Sequence, residues 1–262
     1  MKRSRWTVGG VEGTATIVDN DAAPTISSVS TAVDASGEAV DEGEGAVFTR
    51  EPKQRKYVGA NLQLQLCRTA TAGSDDYDTD LSNVTFSNGV TYDADTGLIT
   101  VPAGVTEFTA TVATIDDTID EANETFTLTV GGVEGTATIV DNDAAPTISS
   151  VSTAVDASGE AVDEGEGAVF TVSLSNESTS AQTYSFSLSN GTAGSDDYDT
   201  DLSNVTFSNG VTYDADTGLI TVPAGVTEFT ATVATIDDTI DEANETFTLT
   251  VGGVEGTATI VG

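Results

Sequence analysis

The sequence predicts an all-β chain built from tandem β-sandwich repeats. Apolar residues alternate with Thr and Ser in many short segments, of which 246–251 is the clearest, and period-two alternation is typical of half-buried strands. Gly, Asn, Asp and Ser fill the intervals, as turns require. A unit of about 121 residues occurs about twice. Many short strands in a unit of that length indicate a sandwich.

The repeat is almost free of substitutions. Residues 7–49 match 129–171, and residues 73–140 match 194–261, both without a mismatch. Identity this high indicates recent duplication within a longer array. We therefore divide the chain into three parts, namely the end of a preceding repeat (1–21), repeat one (22–143) and repeat two (144–262), which stops before its closing Asp-Asn-Asp.

We predict the strands from repeat two, because its sequence has no replaced segment. Tyr184, Phe186 and Leu188 alternate with polar residues in one of them, and we assign Tyr184, Phe186 and Phe247 to the core. No segment shows helical periodicity. The other expected strands are 147–155, 168–174, 205–207, 219–222, 228–236, 246–251 and 257–261.

Residues 50–70 of repeat one do not match the corresponding sequence of repeat two. A single base inserted after the codon of Thr49 turns the reading of repeat two into the Arg-Glu-Pro-Lys-Gln-Arg-Lys-Tyr of 50–57, and two later insertions restore the frame. A similar shift accounts for residues 1–6. All eight Lys and Arg residues and the single Cys, Met and Trp lie in these two stretches. Our hypothesis is that both are out of frame, and the alternative is a genuine basic loop.

This hypothesis can be tested at the gene. Clean, in-frame codons for residues 50–70 in a resequenced locus would refute it. We also expect repeat one to be less stable than repeat two, although Leu62, Leu64 and Leu66 keep the alternation of the replaced strand.

The charge of the chain limits its partners. With 43 acidic residues, 8 basic residues and no His, the net charge is −35. Such a surface repels nucleic acid and anionic membranes and attracts divalent cations. No apolar run approaches the length of a membrane span, so we expect no direct membrane insertion. One Cys cannot form an internal disulfide.

The acidic residues cluster where strands end. Repeat one has a Glu in Asp-Glu-Gly-Glu-Gly, an Asp-Asp pair before Tyr, a run from 116 to 124, and Asp-Asn-Asp at 141–143, and repeat two has the first three of these clusters. In a sandwich, alternate strand ends meet at one pole. Ca²⁺ takes six to eight oxygen ligands, whereas Mg²⁺ keeps more water, and the intact unit has no His or Cys for Zn²⁺. The alternative is an acidic surface that is simply solvated.

Three motifs resemble the Calx-beta domain over nearly the whole unit. They are Gly194-Ser195-Asp196-Asp197-Tyr198, the run Ile-Asp-Asp to Glu-Thr-Phe, and the closing Ala-Thr-Ile-Val-Asp-Asn-Asp. The resemblance implies an immunoglobulin-like sandwich that binds calcium at one pole. It implies ligands at Glu42, Asp76, Asp117, Glu121, Glu124, Asp141 and Asp143, helped by Asp116, and in repeat two at Glu164, Asp197, Asp238, Glu242 and Glu245, with Asp237 beside them.

Two features depart from this family. Repeat two ends at Gly262 without the Asp-Asn-Asp, which predicts an incomplete site. The stretch 202–218 is longer than the family's usual turn, so the strands there are hard to assign.

Near-identical acidic tandem copies also resemble the extender regions of large calcium-binding, RTX-type bacterial surface adhesins. We therefore expect a calcium-binding structural spacer, extracellular or at the cell surface, in which Ca²⁺ rigidifies the sandwich and the joints between neighbouring repeats. The alternative is a calcium-sensing regulatory module of a membrane-associated or cell-communication protein. We expect no enzyme, because the intact unit has no His, Cys or Lys and no nucleophile–base pair; the Asp237–Asp238 pair alone is a weak basis for acid–base chemistry.

Overall fold

The computed structural model describes residues 2–8, 11–17, 25–52, 60–67, 71–240 and 242–262. These residues form two compact units, Met1–Ile115 with Thr125–Ile139 and Asp116–Glu124 with Val140–Gly262. The described chain is all-β, as predicted, and its only helices are two single turns of 3₁₀ helix. Neither is long or apolar enough to cross a membrane.

The first part of the chain has twelve strands in its described residues. β1 (Lys2–Val8) and β2 (Val11–Ile17) pair antiparallel. A 3₁₀ turn, Leu81–Asn83, follows β6. The remaining strands are β3 (Ile26–Val29), β4 (Val40–Asp41), β5 (Gly45–Pro52), β6 (Ala60–Cys67), β7 (Thr85–Phe86), β8 (Thr91–Asp93), β9 (Leu98–Val101), β10 (Phe108–Ala113), β11 (Glu124–Val130) and β12 (Val133–Val140).

Repeat two has the same element order, with a 3₁₀ turn at Leu202–Asn204. Its strands are β13 (Ile148–Val151), β14 (Val162–Asp163), β15 (Gly167–Leu174), β16 (Gln182–Asn190), β17 (Thr206–Phe207), β18 (Thr212–Asp214), β19 (Leu219–Val222), β20 (Glu228–Ala234), β21 (Glu245–Val251) and β22 (Val254–Val261).

The strands of repeat two form two sheets, ordered β13-β15-β20-β17 and β14-β22-β21-β16-β19-β18. Their pairs are antiparallel except β14 with β22, which run parallel with Val162 opposite Ile260. Parallel pairing brings the ends of β14 and β22 to the same edge of the sheet. Glu164 and Gly262, which follow these strands, therefore lie at one pole.

Aromatic side chains join the two sheets of repeat two. Phe170 meets Phe247 edge to face with ring centroids 5.9 Å apart, and Phe186 meets Phe207 at 5.2 Å. Phe186 and Phe247 are buried, as predicted. Tyr184 differs, since it is only half-buried against the core and its hydroxyl donates to the Pro146 carbonyl over 2.7 Å.

The predicted strands of repeat two are present, and three are shorter than predicted, of which 205–207 loses only its first residue. The segment 147–155 is paired only to Val151, beyond which Val155 makes an isolated bridge to Val169. The segment 228–236 is a strand only to Ala234. β14 and β18, of two and three residues, were not among the predicted strands. The stretch 202–218, in which strands were hard to assign from the sequence, contains β18, which pairs with β19.

The irregular stretch of repeat one still forms strands where the structure describes it. Leu64 pairs with Val130 as Phe186 pairs with Val251, so Leu64 fills the core position of a Phe. Residues 53–59 and 68–70 of that stretch, and the side chains of 1–6, lie outside the described residues.

Arg50, the first residue of this stretch, is buried where repeat two has an apolar side chain. Its side chain is fully buried, whereas the matching position in repeat two is Val172. Its three guanidinium nitrogens have no hydrogen-bond partner in the described part of the chain. The guanidinium lies 5.2 Å from the centre of the Phe48 ring, and burial lowers the Arg50 pKa to about 9. A buried charge without a hydrogen-bond partner is costly, so we expect Arg50 to destabilise repeat one.

Candidate metal centre

A tight turn holds Asp197 at the pole of repeat two. The Gly194 amide donates to Asp197 Oδ2 over 2.6 Å, and the Tyr198 amide donates to the Gly194 carbonyl over 3.3 Å. The Tyr198 ring is buried and stacks on Phe247, with centroids 4.1 Å apart and planes 10° from parallel. The Gly-Ser-Asp-Asp-Tyr motif is therefore an anchored turn that presents one carboxylate.

Two glutamates approach Asp197 from the acidic run. Glu245 is the first residue of β21, two residues before the buried Phe247, so the core fixes its position. Glu242 lies three residues earlier, in the loop before β21. The Ile236 amide donates to the Asp197 carbonyl over 2.9 Å and ties the start of the acidic run to the turn.

The three carboxylates meet. Asp197, Glu242 and Glu245 each offer an oxygen within 4.8 Å of the other two, and all three residues are partly buried. The pKa of Glu245 is raised by its hydrogen bond with Asp197, by burial and by the charges of Asp197, Glu242 and Glu164. Burial, followed by the charges of nearby acids, raises the pKa of Glu242. Such a group favours a proton or a cation at its centre.

No basic side chain of the same repeat can neutralise this group. The sequence has no Lys, Arg or His from residue 69 to residue 262. An all-oxygen set of carboxylates is the kind of donor set that suits a hard divalent cation.

Repeat one has two carboxylate groups of the same size. Their members are Glu42, Asp141 and Asp143 in one group, and Asp76, Glu121 and Glu124 in the other. In the first, burial and then the charges of Asp141, Asp117, Asp116 and Asp120 raise the pKa of Asp143. Asp143 Oδ2 is buried and has no hydrogen-bond partner among the described residues. The Asp141 carboxylate accepts from the amides of Glu121 and Asp143, each over 3.0 Å.

Four other expected ligands lie in the acidic runs of the two repeats. Asp117 Oδ1 accepts from the Ile119 amide over 2.7 Å, and Asp238 Oδ1 accepts from the Ile240 amide over 2.6 Å. Asp116 accepts from the Asn142 side chain over 3.3 Å. Asp237 packs beside the Gly165 backbone. None of the four belongs to a three-carboxylate group among the described residues.

Glu164 is also outside these groups. A Cβ at Gly262 would lie 3.3 Å from Glu164 Oε1, and the matching residue of repeat one is Asp141. One of the two partners of Glu42 is thus matched by a glycine beside Glu164.

Thr235 is a positioning residue that the sequence analysis missed. Its hydroxyl donates to the carbonyls of Glu166, at 2.7 Å, and Asp163, at 3.2 Å, and its amide also donates to the Glu166 carbonyl. It thereby ties the turn that carries Glu164 to the acidic run. A Thr directly before Ile-Asp-Asp in both repeats was the available signal.

An immunoglobulin-like sandwich with carboxylates gathered at one pole is the class of protein that these features define. The family model of the Calx-beta domain matches residues 87–157 and 141–259, which is more than half of the chain. The chain belongs to the Calx-beta domain family.

Solved structures of tandem domains also match. The structure titled CBD12 from CALX1.2 is 15% identical over 88% of this chain and 79% of its own, with a TM-score of 0.34. The calcium binding domain CBD12 of CALX1.1 is 14% identical over 87% and 79%, with a TM-score of 0.33. The titin domains z1z2 in complex with telethonin are 12% identical over 92% of this chain and 96% of their own, with a TM-score of 0.25. The search of curated proteins returned no match.

Proposed function

We propose that this chain is a calcium-binding structural spacer of a large extracellular bacterial adhesin. The observation that supports it most directly is the group of Asp197, Glu242 and Glu245, whose oxygens lie within 4.8 Å of one another. Mutual repulsion and burial make this arrangement costly without a cation. Binding of Ca²⁺ would remove that repulsion and fix the loop before β21 to the turn that carries Asp197.

The choice of calcium rests on the ligand chemistry and the family. Every donor in the group is a carboxylate oxygen, and loop carbonyls and water can complete the six to eight ligands that Ca²⁺ takes. Mg²⁺ demands a stricter octahedron and keeps more of its own water, so it fits a dense set of carboxylates less well. We therefore expect Ca²⁺ to bind more tightly than Mg²⁺.

The spacer role rests on the repeats themselves. Residues 73–140 and 194–261 are identical, including exposed positions, so selection has not separated the surfaces of the two copies. Repeat arrays gain length by stacking units that contact mainly their neighbours. A specific recognition site for a foreign ligand would not need such copying.

Calorimetric titration of the whole chain tests the metal site. We expect Ca²⁺ to bind, Mg²⁺ to bind far more weakly, and Glu245→Gln to weaken the repeat-two component at least about tenfold, as loss of a charged ligand implies. Glu255→Gln is the matched control, because Glu255 is an exposed strand residue outside the three groups. Equal effects of the two substitutions, or equal binding of both ions, would refute the site.

Amide chemical shifts separate a spacer from a regulatory module. A spacer predicts that Ca²⁺ changes the shifts of the polar loops and leaves those of the sheet residues almost unchanged. Changes throughout β15 and β20 would favour a module that transmits a conformational signal.

A further inference from the structure

The acidic loop of repeat one packs with repeat two. By sequence Asp116–Glu124 belongs to repeat one, but it lies in the same compact unit as Val140–Gly262. Asp120 forms an isolated parallel bridge with Ser178 of repeat two. The Asp120 amide donates to the Glu177 carbonyl over 3.0 Å, and the Thr179 amide donates to the Asp120 carbonyl over 2.9 Å. Backbone hydrogen bonds therefore join the acidic loop to the segment of repeat two around Ser178.

The Asp120 carboxylate strengthens this pairing. Ser178 Oγ donates to Asp120 Oδ2 over 2.6 Å, and Gln182 Nε2 donates to the same oxygen over 3.3 Å. Ser178 is only 4% exposed, so it meets the carboxylate away from bulk water. Hydrogen bonds to an ionised acceptor are about twice as strong as neutral ones.

The turn of repeat two is organised to receive this carboxylate. Gln182 Nε2 also donates to the hydroxyls of Ser178, at 3.0 Å, and Ser180, at 2.9 Å, while the Ser180 amide donates to Ser178 Oγ over 3.1 Å. The donors are thus held together by the turn's own bonds. We call Glu177–Gln182 the docking turn.

We propose that the docking turn is an interaction surface for the acidic loop of the preceding repeat, and that Asp120 is the residue it recognises. Asp241 occupies the same position in the loop of repeat two, so it is the residue that a following repeat would bind. This inference goes beyond the metal site, because the carboxylate used by the docking turn belongs to none of the three-carboxylate groups.

The sequence of the docking turn is replaced in repeat one. Ala60 pairs with Val101 as Gln182 pairs with Val222, so an alanine replaces the glutamine of the docking turn. Counting back from Ala60, Lys56 stands where repeat two has Ser178. The replaced stretch therefore removes both side chains that contact the carboxylate.

Amide hydrogen exchange of the whole chain tests the proposal, in EDTA and again in excess Ca²⁺. Asp120→Ala should speed exchange of the Thr179 amide about tenfold or more, since a charge-assisted hydrogen bond is lost. Asp120→Asn, which keeps an acceptor of the same shape, should have a smaller effect. Asp241→Ala is the matched control, with identical neighbours in sequence, and should leave the Thr179 amide unchanged.

A difference between Asp120→Ala and Asp241→Ala in either buffer supports docking. Equal exchange of the Thr179 amide in both variants and both buffers would overturn it. Calcium binding is read separately by calorimetry, so failure of the metal site and failure of the docking turn give different results. Unchanged far-ultraviolet circular dichroism shows that each variant is folded.

Discussion

At the scale of single residues, the position of an acidic side chain in the sandwich determines whether its pKa is lowered or raised. Asp214 has a lowered pKa, chiefly because the Asp216 amide donates to it within its own turn. Glu245 has a raised pKa because it shares a hydrogen bond with Asp197 at the pole. Carboxylates of the same chain therefore accept hydrogen bonds within a turn in one place and crowd against other carboxylates in another.

The raised pKa of Glu245 predicts a pH dependence in EDTA. An acid whose pKa is higher in the folded chain than its ordinary 4.5 carries no penalty below pH 4.5, where it is protonated in both states. As pH rises through the folded-state pKa, ionisation destabilises the fold. Glu245→Gln should therefore be more stable than the unchanged chain at pH 7, and the difference should vanish by about pH 4.5.

Urea unfolding of both proteins between pH 4 and pH 7 measures this difference. Adding Ca²⁺ at pH 7 should reverse its sign, because the ion needs the ionised carboxylate. A constant difference across the pH range would contradict the assignment.

At the scale of strands, alternation decides which substitutions the chain tolerates. Every second side chain of β5 and β15 points into the core. One of these inward positions is occupied by Arg50 in β5 and by Val172 in β15. Removing one partner of a buried ion pair costs about 3–5 kcal/mol, and Arg50 has no partner among the described residues.

Arg50→Val should accordingly raise the free energy of unfolding of repeat one by about 3 kcal/mol. Val172→Arg is the reciprocal change and should destabilise repeat two by a similar amount. Denaturant unfolding of both variants gives the two values. No gain from Arg50→Val would show that the guanidinium reaches solvent and would weaken the shifted-frame hypothesis.

The strands and the anchored turn were predictable from sequence because alternation and turn residues are local signals. The sequence also named every member of the three carboxylate groups. It gave no sign that Asp117 and Asp238 accept amide hydrogen bonds within their own loops, because that depends on backbone geometry. It also gave no sign of Asp120, whose partners lie about sixty residues away in Ser178 and Gln182.

At the scale of the whole molecule, two copies of one sequence can be compared within one chain. Repeat one carries Arg50 in its core and Leu64 in place of Phe186, so it buries a charge and less aromatic surface. We predict that repeat one unfolds before repeat two. The sequence Phe-Thr-Ala-Thr-Val-Ala occurs in both β10 and β20 and provides identical probes.

Hydrogen exchange of these matched amides gives a local opening free energy for each repeat. We expect β10 to exchange faster than β20, and Arg50→Val to narrow the gap. Equal protection of the two strands would contradict the prediction that the replaced stretch weakens repeat one.

The most direct measurement of the central claim is thermal unfolding of the whole chain in EDTA and across a Ca²⁺ titration, with Mg²⁺ as the control. A ligand at one hundred times its Kd stabilises the native state by about 2.7 kcal/mol per site. We predict that Ca²⁺ raises the unfolding temperature by several degrees and that Mg²⁺ at the same concentration does not. An unchanged unfolding temperature in Ca²⁺ would show that the carboxylates at the pole form a solvated acidic surface.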